Sequence, residues 1–100
     1  MFILNITFKI AWPIYATWLE WLKSNWLQKM QGQETMSMQM VRLLDVDDTE
    51  GPTLAVQLSA ETLAGLGELE KRWLHDGQPL LHTVWGTECV HFATKMEVVQ

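Results

Sequence analysis

Phe2, Leu4, Ile6, Phe8 and Ile10 alternate with Ile3, Asn5, Thr7 and Lys9 at the start of the chain. Period two is the spacing of a strand with one face in a core, so a first strand is expected over about residues 2–10. The period then changes. Ile14, Tyr15, Trp18, Leu19, Leu22 and Trp26 recur at helical spacing, with Glu20, Lys23, Ser24 and Gln28 opposite them. Trp21 falls at the edge of that stripe and Leu27 on its polar side. Pro13 suits the first turn of the helix, where a missing N–H costs nothing, and Gly32 supplies a stop. From Thr35 to Val46 the alternation returns, with Met36, Met38 and Met40 against Ser37, Gln39 and Val41. A turn-rich acidic run, Asp45 to Pro52, follows. From Thr53 to Ser59, Leu54, Val56 and Leu58 alternate with Ala55 and Gln57, so the two segments read as a hairpin. Ser59 can cap a second helix carrying Glu61 in its first turn and Leu63, Leu66, Leu69 and Trp73 on its apolar face. Gly65 and Gly67 weaken that helix by about 1 kcal/mol each. Gly77 and Pro79 are expected to break it before a short helical piece with Leu80, Leu81, Val84 and Trp85. A last strand spans about Glu88 to Val99, with Val90, Phe92, Thr94, Met96 and Val98 on one face and Cys89, His91, Ala93, Lys95 and Glu97 on the other.

The order is β-α-β-β-α-β, one α+β domain over residues 1–100. It predicts a ferredoxin-like four-stranded antiparallel sheet with both helices on one face. The other face, as placed from the sequence, carries Ile3, Asn5, Thr7, Ala55, Gln57, Cys89 and His91. It is neither fully polar nor fully apolar, and a second copy is the usual cover for such a face in a small symmetric protein.

Composition removes several function classes. Hydrophobic residues are 48% and charged ones 19%, which argues for a packed core. The net charge of -5, with Lys23, Lys29, Lys71, Arg72 and Lys95 scattered, disfavours nucleic acid. No apolar run reaches membrane length, and the N-terminus reads as a strand and not as a signal sequence. A lone cysteine, Cys89, fits a reducing compartment, so a cytoplasmic protein is expected.

The Phe2–Ile10 strand, the Trp18-Leu19-Glu20-Trp21-Leu22-Lys23 helix, Ala55-Val56-Gln57 and the ending Phe92-Ala93-Thr94-Lys95-Met96-Glu97-Val98 resemble a small uncharacterised bacterial family. Its members are similar to the dimeric α+β barrel superfamily, which includes antibiotic-biosynthesis monooxygenases and muconolactone isomerases. The resemblance implies the ferredoxin-like fold and a homodimer. Two positions depart from the family pattern: Trp26-Leu27-Gln28 stands where the family has His, an apolar residue and Pro, and Ala93 stands where it has Arg. An active site built on that His or Arg is therefore not implied here.

Counted from Asp45, the acidic loop has Glu50 and Val56 where a calcium loop needs Gly and Glu, so it reads as a solvated turn. Cys89 and His91 share a strand face, but a zinc site needs three or four ligands, and nothing orients the pair as nucleophile and base. No metal and no cofactor is expected, and no phosphate loop or serine elbow is present. Trp18, Trp26 and Trp73 fit the core. Trp12, Trp21 and Trp85 are candidates for an interface or a pocket wall. Asn5, Thr7 and Gln57 project from the open face, where a second sheet would enclose them and oblige their polar atoms to pair.

The expected function is a homodimeric ligand-binding or structural and interaction domain using that face, with Asn5, Thr7, Gln57, His91 and Trp21 as candidate pocket or dimer residues. The alternative is a cofactor-independent enzyme acting on a small apolar or aromatic compound between the sheets, with His91 as its proton carrier. A regulatory module recognised by another protein through Trp21 is a third reading. Whether Arg42 faces the pocket or a helix is left open by the register of the second strand.

Overall fold

A computed structural model describes residues 1–100. Strand β1 (Phe2–Ile10) is followed by helix α1, which starts as Trp12–Trp21, passes through a π-helical segment Leu22–Trp26 and ends as Leu27–Met30. Strands β2 (Ser37–Arg42) and β3 (Thr53–Ala60) form the hairpin. Helix α2 begins as Leu63–Arg72, continues through a second π-helical segment Trp73–Gly77 and finishes as Gln78–Trp85. A 3₁₀ turn, Gly86–Glu88, leads into strand β4 (Cys89–Glu97). The four strands form one antiparallel sheet in the order β2-β3-β1-β4.

The core lies between one sheet face and the helices. Leu4, Ile6, Phe8 and Ile10 of β1 and Leu54, Val56 and Leu58 of β3 meet Trp18, Leu22, Trp26 and Met30 of α1 and Leu66, Leu69, Trp73 and Leu81 of α2. Phe8 sits edge-on to Trp18 and Trp26, at 5.2 and 5.4 Å between ring centres. Such aromatic contacts contribute about 1 kcal/mol each beyond the area they bury. Met38 and Met40 of β2 are only partly buried against this core, as befits an edge strand.

Three local expectations change. Ser59 is a strand residue bonded to the Ser37 hydroxyl, and the cap of α2 is Thr62, whose Oγ1 accepts from Gly65 N at 3.0 Å. Gly77 and Pro79 do not end the helix. In the widened π turn, Gln78 N reaches back to Trp73 O, and Pro79 falls where the bonding steps between π and α spacing, so its missing N–H is tolerated. Gly77 instead marks where the helices touch. A Cβ there would strike Met30 and come within 3.1 Å of the Trp73 ring, and the Gly77 carbonyl accepts from Trp26 Nε1 at 3.0 Å. Third, β4 turns over. Cys89 pairs with Ile10 and His91 with Phe8, and directly paired residues share a face. Cys89 and His91 therefore face the helices, while Val90, Phe92, Thr94 and Met96 lie on the open side.

Candidate functional site

On the open face the register lines residues up in rows across the sheet. One row reads Gln39–Gln57–Asn5–Thr94, the next Val41–Ala55–Thr7–Phe92, and on the other side Ser37–Ser59–Ile3–Met96. A directed hydrogen-bond chain runs along the middle row from Gln39 to Asn5 and steps to Thr7 in the next. Gln39 Nε2 donates to Gln57 Oε1 at 2.9 Å, Gln57 Nε2 to Asn5 Oδ1 at 3.2 Å, and Asn5 Nδ2 to Thr7 Oγ1 at 3.0 Å. Gln57 and Asn5 thus each donate once and accept once, Gln39 only donates, and every amide keeps a second N–H and a lone pair free. Apolar groups flank the chain: Val90 and Phe92 are 62% and 59% exposed, Val41 is exposed, and Ile3 and Met96 are half-buried. Lys9 is the one charged residue on the face, and its Nζ donates to the Asp47 carbonyl at 2.7 Å.

Asn5, Thr7 and Gln57 lie together on the open face, and their polar atoms pair within one chain. His91 and Trp21 are not part of this group. His91 sits under the helices, edge-on to Trp73 at 5.4 Å, with Nδ1 donating to the Cys89 carbonyl at 3.1 Å. Trp21 is half-buried on the helix layer against Trp85, with ring centres 5.8 Å apart. The residues that reading by sequence passed over are Gln39, Val90 and Phe92. The signal for Gln39 was present, since hairpin pairing sets it beside Gln57. For Val90 and Phe92 it was misleading, because the alternation of β4 makes its outward face the more apolar one.

The remaining candidates have structural surroundings. Burial pushes the Cys89 thiol up to about 11, opposed in part by the Trp18 indole N–H, so the sulfur stays protonated and a poor nucleophile. No group of three His, Cys, Asp or Glu side chains is placed to hold a metal ion. Arg42 pairs with Leu54 and so faces the helix side, where it lies 5.3 Å from the Trp12 ring centre and 2.7 Å from Asp48 Oδ2. A polar surface recess of about 490 Å³ runs between the helices, lined by residues such as Ser24, Lys29 and Asp76, and belongs to the opposite side of the molecule. No helix is long and apolar enough to cross a membrane.

With this geometry in view, the chain can be set beside known proteins. A family model described as "Domain of unknown function (DUF4286)" matches residues 1–99, and the chain belongs to that family. No curated protein matches it. Among solved structures it is similar to a dimeric ferredoxin-like protein from an uncultured marine organism, with a TM-score of 0.62, 14% identity and coverage of 99% of this chain and 95% of that one. It is similar to a candidate antibiotic biosynthesis monooxygenase from Deinococcus radiodurans, with a TM-score of 0.69, 11% identity and coverage of 100% and 94%. An uncharacterized NIPSNAP domain protein from Burkholderia xenovorans gives a TM-score of 0.64, 11% identity and coverage of 99% and 95%. At these identities the likeness is one of fold: the chain is α+β and ferredoxin-like.

Proposed function

We propose, from the premise of that family membership, that the chain works as a small homodimeric binding or interaction domain that packs its open sheet face against the same face of a second copy. The observation that carries this is the composition of the face. It exposes Val41, Val90 and Phe92 and has a single charge, Lys9, whose ammonium is already held by a carbonyl. Depletion of charge with enrichment of aromatic and aliphatic groups is the mark of an interface centre. The amide chain through Gln39, Gln57 and Asn5 fits enclosure, because it satisfies much of its own hydrogen bonding before any partner arrives. A solved relative in fold is itself dimeric, which agrees with the reading. A small molecule held between two such faces would be apolar or aromatic with one polar edge, matching Phe92 beside Thr7 and Asn5. The net charge of -5 speaks against nucleic acid as the partner. The lone, buried Cys89 is in keeping with a reducing, cytoplasmic compartment.

An enzyme working between the sheets, the other reading of the sequence, has less support. Its proton carrier, His91, lies on the far side of the sheet from Asn5 and Gln57. Solution mass by light scattering tests the proposal. A dimer is expected at micromolar concentration, and a chain that stays monomeric would sink the reading.

A further inference from the structure

The loop between β2 and β3 is held in an unusual way for an acidic surface turn. Lys9 Nζ binds the Asp47 carbonyl at 2.7 Å, Trp12 Nε1 the Asp48 carbonyl at 2.8 Å, and Trp12 N the Glu50 carbonyl at 3.0 Å. Arg42 bridges to Asp48, and Asp47 Oδ1 accepts from both Thr49 N and Thr49 Oγ1. These bonds pin the loop to the end of β1 and the start of α1. Yet the pinned loop presents apolar side chains to water: Leu44 is 83% exposed, Val46 38% and Leu43 37%. Ordering a loop costs backbone entropy at every residue, and an exposed Leu returns nothing toward that cost in the isolated chain.

Leu43 continues the open face, and Leu44 and Val46 follow it in the loop beyond the end of the sheet. Leu43 N donates to Thr53 O at 2.9 Å, one step beyond the Arg42–Leu54 pair, so Leu43 shares the open side with Val41 and Thr53. Lys9, on the same face, is the anchor of Asp47. Four strands about 4.8 Å apart and about 25 Å long present roughly 500 Å² in projection. A stable interface uses about 800 Å² of accessible surface per partner, which the relief of side chains on a sheet of this projection only just supplies, and an apolar rim would extend it.

We infer that the Leu43–Val46 segment is a preformed arm that docks on a second copy of this chain and enlarges the sheet-to-sheet contact. This rests on the dimer reading above. In a two-fold assembly each copy supplies one arm, so a change in one residue acts twice. The test compares dimer dissociation constants, by sedimentation, for the wild-type chain, the double variant Leu44→Ser/Val46→Ser, and Leu74→Ser, an exposed leucine on α2. The arm variant is expected to weaken the dimer by about tenfold or more, while circular dichroism shows an unchanged fold and Leu74→Ser stays near wild type. A dimer whose constant is indifferent to the arm variant overturns the arm and leaves the sheet contact standing. A monomeric wild-type chain overturns both. Leu44→Glu serves as a second probe with the same expected direction and a larger effect.

Discussion

Two glycines with the same intrinsic propensity should respond in opposite directions to the same substitution. Gly51 is buried where the loop passes the end of β1. A Cβ there would overlap the Ile10 carbonyl oxygen and lie 2.6 Å from its carbon. Backbone cannot swing aside as a side chain can, so Gly51→Ala should lower stability by about 2 kcal/mol or more. Gly67 lies in the first part of α2 with nothing within 4 Å of its virtual Cβ, so Gly67→Ala should raise stability by about 1 kcal/mol. Urea midpoints of the two variants check both signs, and a neutral Gly51→Ala would show that the approach of loop to strand is not tight. Cys89 makes a prediction in pH. Its thiol, ordinarily near 9.0, is pushed up to about 11 by burial. Between those values the unfolded chain has lost the proton and the folded chain retains it, so stability falls as pH rises through this window. Cys89→Ala should flatten that part of the stability profile relative to wild type, and parallel profiles would contradict the burial account.

At the scale of elements, the helices were legible in type and position, and the departures have physical causes. Gly77 and Pro79 are stop signals by residue type, but a π turn changes the bonding step at that point, and residues of α1 pack against it. Trp26, on the other helix, donates its indole N–H to the Gly77 carbonyl, and the missing Cβ admits Met30. Such a contact between distant residues has no signature in local sequence. Trp26→Phe keeps the aromatic face and removes the indole donor, while the Gly77 carbonyl keeps its helical bond from Leu81 N, so a loss of about 1 kcal/mol is expected. Urea unfolding should show a lower midpoint at unchanged slope, and an unmoved midpoint would mean that the indole bond adds nothing to the contact between the helices. The strands were legible in period and, for β1 and β3, in facing, because their inward sets are uniformly large and apolar. For β4 the facing was not legible. Its inward set of Cys89, His91, Ala93, Lys95 and Glu97 is the more polar, and only Cys89 is fully buried. Pairing with β1 decides which side it shows. Because of this inversion, the candidate site loses His91 and gains Phe92 and Val90, while Asn5, Thr7 and Gln57 remain where the alternation of β1 and β3 placed them.

For the whole molecule, the decisive matter is whether the amide chain lies in water or between two sheets, and one residue separates the cases. Gln57 is its middle link, accepting from Gln39 and donating to Asn5. Gln57→Leu breaks both bonds and orphans an acceptor on Asn5 and a donor on Gln39. On a wet face, water replaces them, and the folding stability of the monomer should move by no more than about 0.5 kcal/mol. Between sheets, each orphaned group stays dry and costs about 1–3 kcal/mol, twice over by symmetry. The variant should then weaken the dimer by at least about tenfold while barely affecting the monomer. The same linkage makes the wild-type melting temperature rise with protein concentration, since the dimer binds only folded chains. Melting curves over a hundredfold range of concentration, for wild type and Gln57→Leu, read both effects at once. The expected pattern is a slope for wild type and a later onset of the same slope for the variant. A wild-type slope that Gln57→Leu leaves untouched would place the contact elsewhere on the chain and return the amide chain to solvent.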